Sequence, residues 1–113
     1  MSGITTHILD TSAGRPAAGV PVTLSAAGAD GRWEERTRAR TDDDGRARLH
    51  GPDSLPAPGD YRLTFEVADY LAARAADVFY PRVEVHFTLS DPAEHYHVPL
   101  LLSPFGYSTY RGS

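Results

Sequence analysis

Two histidines one residue apart, His95 and His97, form the densest chemical feature of the chain. On a β-strand, residues two apart leave the same face, so both imidazoles would point one way. Such a pair can begin a zinc site, with His7, His50 or His86 as a further ligand, or it can be a polar surface pair. The chain contains no cysteine, which removes disulfides, thiolate metal sites and a thiol nucleophile together. His7 stands between Thr6 and Ile8, and Arg46 follows an Asp44-Gly45 pair directly. The tail, Tyr107 to Ser113, carries hydroxyls, the Arg111 guanidinium and a carboxylate. An imidazole, with an ordinary pKa of roughly 6.5, can move protons at neutral pH. A guanidinium offers a planar fork for carbonyl or anionic oxygens. Each feature alone also has an ordinary reading: a solvated strand histidine, a charged flank of a turn, a polar tail. Other chemistries lack their patterns. Ser103 and Ser108 have no G-x-S-x-G context, no glycine-rich phosphate loop is present, and the adjacent Glu34 and Glu35 would leave a strand on opposite faces.

The elements that must position these groups read as strands, because apolar residues recur with period two. Ile4, Thr6 and Ile8 share one face, with Thr5, His7 and Leu9 on the other. Similar runs are Val20 to Leu24, Tyr61 to Val67, Val83 to Leu89 and His95 to Leu102. Trp33 to Arg38 and Arg46 to Leu49 are weaker strands, and Phe105 to Tyr110 is a short aromatic one. Turn residues separate them: a loop from Asp10 to Pro16, Asp30-Gly31, Asp44-Gly45, and a Pro- and Gly-rich loop from Gly51 to Asp60. One short helix is expected over Ala68 to Ala76, where alanines concentrate. Pro99 cannot donate to a ladder, so its strand is an edge or its N–H side is unpaired there. Many short strands with one helix predict an all-β sandwich.

The chain has 113 residues, 41% hydrophobic and 23% charged, values that predict one domain over residues 1–113. Fifteen acidic against eleven basic residues give a net charge of −4. That balance argues against a nucleic-acid partner, which needs a basic surface. No apolar run is long enough to span a membrane, and the first residues lack the pattern of a secretory signal, so a cytoplasmic protein is expected.

Together the singled-out residues match a family. His7-Ile8-Leu9-Asp10-Thr11, Gly14, Pro16 and Gly19-Val20-Pro21-Val22 resemble the start of the transthyretin-like proteins. Thr41 with Asp44-Gly45-Arg46, then Gly59-Asp60-Tyr61-Arg62-Leu63, Asp69-Tyr70 and Phe79-Tyr80-Pro81 match their middle. The tail His95-Tyr96-His97-Val98-Pro99, running on to Tyr110-Arg111-Gly112-Ser113, resembles the hydrolase branch of that family rather than its hormone carriers. The resemblance implies a transthyretin-like sandwich of about eight strands with one short helix, assembled as a homotetramer, a dimer of dimers. It implies hydrolysis of a small molecule, 5-hydroxyisourate, without metal or cofactor. The implied catalytic set is His7, Arg46, His97 and Ser113. His7, Arg46, His97, Tyr110 and Ser113 would bind substrate, and His95 would support the pocket. The period-two pattern adds that His7, Arg46 and His97 point out of their own sandwich, so an enclosed pocket needs a second surface. The competing readings are a small-ligand carrier of the same fold and a domain of a cell-surface protein.

Overall fold

A computed structural model describes residues 3–50 and 56–113. The strands are β1 (Gly3–Asp10), β2 (Arg15–Pro16), β3 (Pro21–Ala27), β4 (Trp33–Arg40), β5 (Arg46–His50), β6 (Gly59–Glu66), β7 (Arg82–Leu89), β8 (His95–Ser103) and β9 (Gly106–Thr109), with one helix, α1 (Ala68–Ala73). They form two sheets. One has the order β2-β1-β8-β9, with β5 also paired to β1; the other has the order β4-β3-β6-β7. All strand pairs are antiparallel except β1 with β8, which is parallel in register from Gly3↔His95 to Asp10↔Leu102. Setting aside the two-residue β2, the described residues form the expected eight-stranded sandwich with one helix.

Alternation builds the core. Ile4 and Ile8 of β1, Val22 and Leu24 of β3, Leu63 and Phe65 of β6, and Leu100 and Leu102 of β8 are essentially fully buried between the sheets. Each such side chain contributes about 1.5–3 kcal/mol by leaving water. The intervening residues face outward, so β1 carries Thr5 and His7 on the outer face of its sheet, as the period predicted. The charged β4 occupies an outer position in its sheet, where Glu and Arg side chains protect an open edge.

Two expectations, the end of the helix and the loop after β1, are corrected, and the choice left open at Pro99 is resolved. The helix ends at Ala73 rather than Ala76. Ala75 turns into the left-handed region (φ 58°), and the amides of Ala76 and Ala75 cap the carbonyls of Leu71 and Ala72. This is the usual glycine-type stop made with alanine, so composition hid it. Pro99 does not lie on an edge strand, since β8 runs between β1 and β9. The second alternative for it holds: its carbonyl accepts from Thr109 Oγ1, so its ring nitrogen also faces the C-terminal side, where β9 has ended. The Asp10 to Pro16 loop contains a two-residue strand that pairs back on β1. Gly51 to Leu55, the first half of the expected proline-rich loop, lies outside the described residues.

Candidate active site

The outer face of the β1–β5–β8 sheet collects the candidate residues. In the β1–β5 register His7 lies opposite Arg46, and Thr5 opposite Arg48. In the β1–β8 register Thr5 lies beside His97. The strand entry that presents Arg46 is built by the turn before it. Asp42 accepts the amides of Asp44 and Arg46 through Oδ1, at 2.9 and 3.0 Å. Gly45 then presses on β1, with φ 77° and its carbonyl accepting the Ile8 amide at 2.7 Å. A Cβ at Gly45 would meet the Ile8 carbonyl at 2.5 Å, so only glycine lets β5 dock there.

The tail closes the other side. The Gly112 amide donates to the His97 carbonyl at 2.8 Å, which returns the last residues to β8 after β9 has ended. A Cβ at Gly112 would sit 2.6 Å from His97 Cδ2, so the tail rests directly on that imidazole. Thr5, Asp42, Arg46, Arg48, His95, His97 and Ser113 wall an open cleft of about 440 Å³.

Arg46, His97 and Ser113 therefore share one cleft. His7 is not among its walls; it lies on the same outer face of β1, close enough to His97 to influence its charge. Tyr110 is not brought there within one chain. Its ring is exposed and lines a second cavity of about 230 Å³ with Phe87, Tyr96 and Arg111, because the chain crosses from β9 to the cleft only at Gly112. His50 and His86 lie outside the cleft walls. Among the described residues no three His, Asp or Glu side chains gather as a metal shell, so the His95/His97 pair gains no third ligand. Sequence reasoning missed Thr5, Asp42 and Arg48 as cleft residues. The signal for two of them was present: Thr5 and Arg48 each lie two residues from a singled-out neighbour, hence on the same strand face.

The electrostatics favour a neutral imidazole facing a cation. Burial lowers the pKa of His97 below its ordinary 6.5, the positive charges of Arg46, His7 and His95 act in the same direction, and together they outweigh the Thr5 backbone, which favours the protonated ring. Arg46 and Arg48 form no ion pair with a carboxylate among the described residues, which leaves two guanidinium groups open to an anionic or carbonyl-rich ligand. The cleft can thus bind a polar planar molecule, and its neutral histidine can exchange a proton with it or with water.

This architecture and cleft define a transthyretin-like β-sandwich with a polar histidine–arginine site on its outer sheet face. Residues 4–112 match the model of the HIUase/Transthyretin family, and the chain belongs to that family. A 5-hydroxyisourate hydrolase of Caulobacter vibrioides is 49% identical over 118 residues, covering all of both chains. The solved 5-hydroxyisourate hydrolase of Klebsiella pneumoniae is 38% identical, with a TM-score of 0.83, covering 99% of this chain and all of the other. Sea bream transthyretin, solved in complex with thyroxine, superposes with a TM-score of 0.89 at 32% identity, covering 97% and 94%.

Proposed function

We infer that this chain is an enzyme that hydrolyses 5-hydroxyisourate, the product of urate oxidation, to 2-oxo-4-hydroxy-4-carboxy-5-ureidoimidazoline. The carrier reading is set aside. Identity is higher to the hydrolases than to the hormone-binding relative. The observation that carries the reading is the cleft itself, where Arg46, His97 and Ser113 meet on a polar face.

Opening the cyclic amide requires a water made nucleophilic and a developing oxyanion stabilised. We assign the guanidinium of Arg46 to the substrate's carbonyl and anionic oxygens. His7 and His97 divide the proton-transfer roles between them. Ser113, held beside His97 by the Gly112 anchor, orients water or substrate through its hydroxyl.

We also propose a homotetramer, a dimer of dimers. The cleft is an open trough on one chain, and a second sheet face would close it. A further support is an aromatic patch away from the cleft. Phe79 is 63% and Phe105 65% exposed, and their rings meet at 6.0 Å beside Tyr80 and Tyr107. Such a patch on a small chain is well suited to subunit contact.

The test generates 5-hydroxyisourate in situ from urate and follows its decay. The chain is expected to accelerate it, and Arg46→Ala, His97→Ala and His7→Ala each to lower turnover by about a hundredfold or more without loss of fold by circular dichroism. No acceleration would refute the reading. Light scattering at about one chain mass with full activity would refute the tetramer.

A further inference from the structure

Thr5 sits between two imidazoles. Its Oγ1 lies 2.9 Å from His95 Nε2 and 2.8 Å from His97 Nδ1. A hydroxyl has one proton, so it donates to one ring and accepts from the other. With both rings neutral, this allows two arrangements. In one, His95 Nε2–H donates to Thr5, and Thr5 donates to His97 Nδ1. In the other, the direction is reversed, and each ring carries its proton on Nδ1.

The far side of His95 decides between them. Its Nδ1 is buried and has no hydrogen-bond partner among the described residues. Gly3 closes over it: a Cβ there would lie 3.5 Å from this nitrogen and 2.9 Å from the His50 carbonyl. The reversed arrangement would leave a buried N–H with no acceptor. The forward one leaves only an unused lone pair, which buried sites tolerate better than an orphaned donor.

We propose that Thr5 and His95 are positioning residues that fix the tautomer of His97, so that neutral His97 presents Nε2–H at the cleft and acts as the hydrogen-bond donor and acid, leaving the base role to His7. The inference rests on the hydrolase reading for the words acid and base. The direction of the hydrogen bonds does not depend on it. His97 is also the residue on which Gly112 rests, so the tail and the Thr5 bridge hold the same ring from two sides. The lowered pKa of His97 keeps it neutral near pH 7, the state in which its tautomer matters.

Nitrogen-15 spectra of the histidine rings at neutral to mildly alkaline pH read the tautomer directly, without substrate. In the unaltered protein His95 and His97 should both show protonated Nε2 and unprotonated Nδ1. Thr5→Val keeps the shape and removes the hydroxyl. His97 should then become a mixture of tautomers, with kcat down about tenfold and KM little changed, and Thr5→Ser should restore both. A protonated Nδ1 on His97 in the unaltered protein overturns the proposal, and that measurement needs no variant to fold. Unchanged ring signals in Thr5→Val overturn it as well. The expected tautomer in a chain that does not hydrolyse 5-hydroxyisourate would refute the hydrolase reading and leave the bridge standing. An active chain with the opposite tautomer would do the reverse.

Discussion

Asp10 joins the turn after β1 to the α1 region, so the sandwich should be sensitive to its substitution. The side chain closes β1 at 2% exposure, and all its partners are outside that strand. Oδ1 accepts from Ser12 N at 3.1 Å, Ser12 Oγ at 2.8 Å and Ala13 N at 3.0 Å, which fixes the turn after β1. Oδ2 accepts from the Tyr70 hydroxyl at 2.7 Å and faces Arg74 Nε at 3.2 Å, which ties α1 to the sheet. Asp10→Ala strips five donors of their acceptor at once. The expected loss is about 3 kcal/mol, since several hydrogen bonds to one charged acceptor go together; the pair with the partly exposed Arg74 adds little. Asp10→Asn keeps the volume and one carbonyl oxygen, which can retain the turn. It sets an amide NH₂ against Arg74, and the expected loss is about 1.5–3 kcal/mol, the range for a hydrogen bond to a charged group.

Urea unfolding at one fixed protein concentration measures this. With a slope of about 1–3 kcal/mol per molar, Asp10→Asn should lower the midpoint by about 1 M. The pH dependence supplies the sign. Burial works against ionisation of Asp10, but the Tyr70, Ala13 and Ser12 hydrogen bonds and Arg74 outweigh it, so its pKa is lowered from 3.8. The stabilisation is therefore complete above about pH 4 and is lost as pH falls through the lower folded value. On the alkaline side, burial and the bond to Asp10 push Tyr70 up from 10.0 to about 12. Its share is present below pH 10 and fades as pH rises through about 12. The gap between the unaltered protein and Asp10→Asn should thus be flat from about pH 5 to 8 and narrow at both extremes. Equal midpoints at pH 7, or a gap that widens in acid, would refute the reasoning.

Two further outcomes concern the cleft. His97 takes up its proton later in the folded chain than in the unfolded one, so its share of the stability should decline only as pH falls below about 6.5. The titration of the His97 ring followed by NMR should move upward in Arg46→Gln, and a midpoint that stays in place would show that Arg46 does not act on His97. Gly112→Ala would force a methyl to within 2.6 Å of His97 Cδ2 and 3.3 Å of Pro99 Cγ, so it should lower kcat about a hundredfold by displacing the imidazole or the tail. Its urea midpoint should stay close to that of the unaltered protein, since Gly112 belongs to no core strand; full activity would show that the tail does not position His97.

What could be read from the sequence and what could not divide along one physical line. Alternation is local, so the outward direction of Thr5, His7, Arg46 and His97 was legible from period two alone. Which strands are neighbours is not local. Asp44-Gly45 reads as a turn, yet it carries the chain from β4 in one sheet to β5 in the other, and only that crossing sets Arg46 opposite His7. The parallel pairing of β1 with β8 joins residues 92 apart in the chain, and nothing in either run announces its partner. Asp10 read as loop composition because the residues that give it meaning, Tyr70 on α1 and Arg74 just past its end, lie some sixty positions away. Family resemblance named Arg46, His97 and Ser113, which share the cleft, and also His7 and Tyr110, which are not among its walls. Thr5 shows where residue type alone stops. A threonine in a strand has no chemical signature, and what distinguishes this one is two ring nitrogens at 2.8 and 2.9 Å and a single proton to share between them. The roles of the two imidazoles are then decided by a hydrogen-bond direction, a property of the folded register that no spacing in the chain encodes.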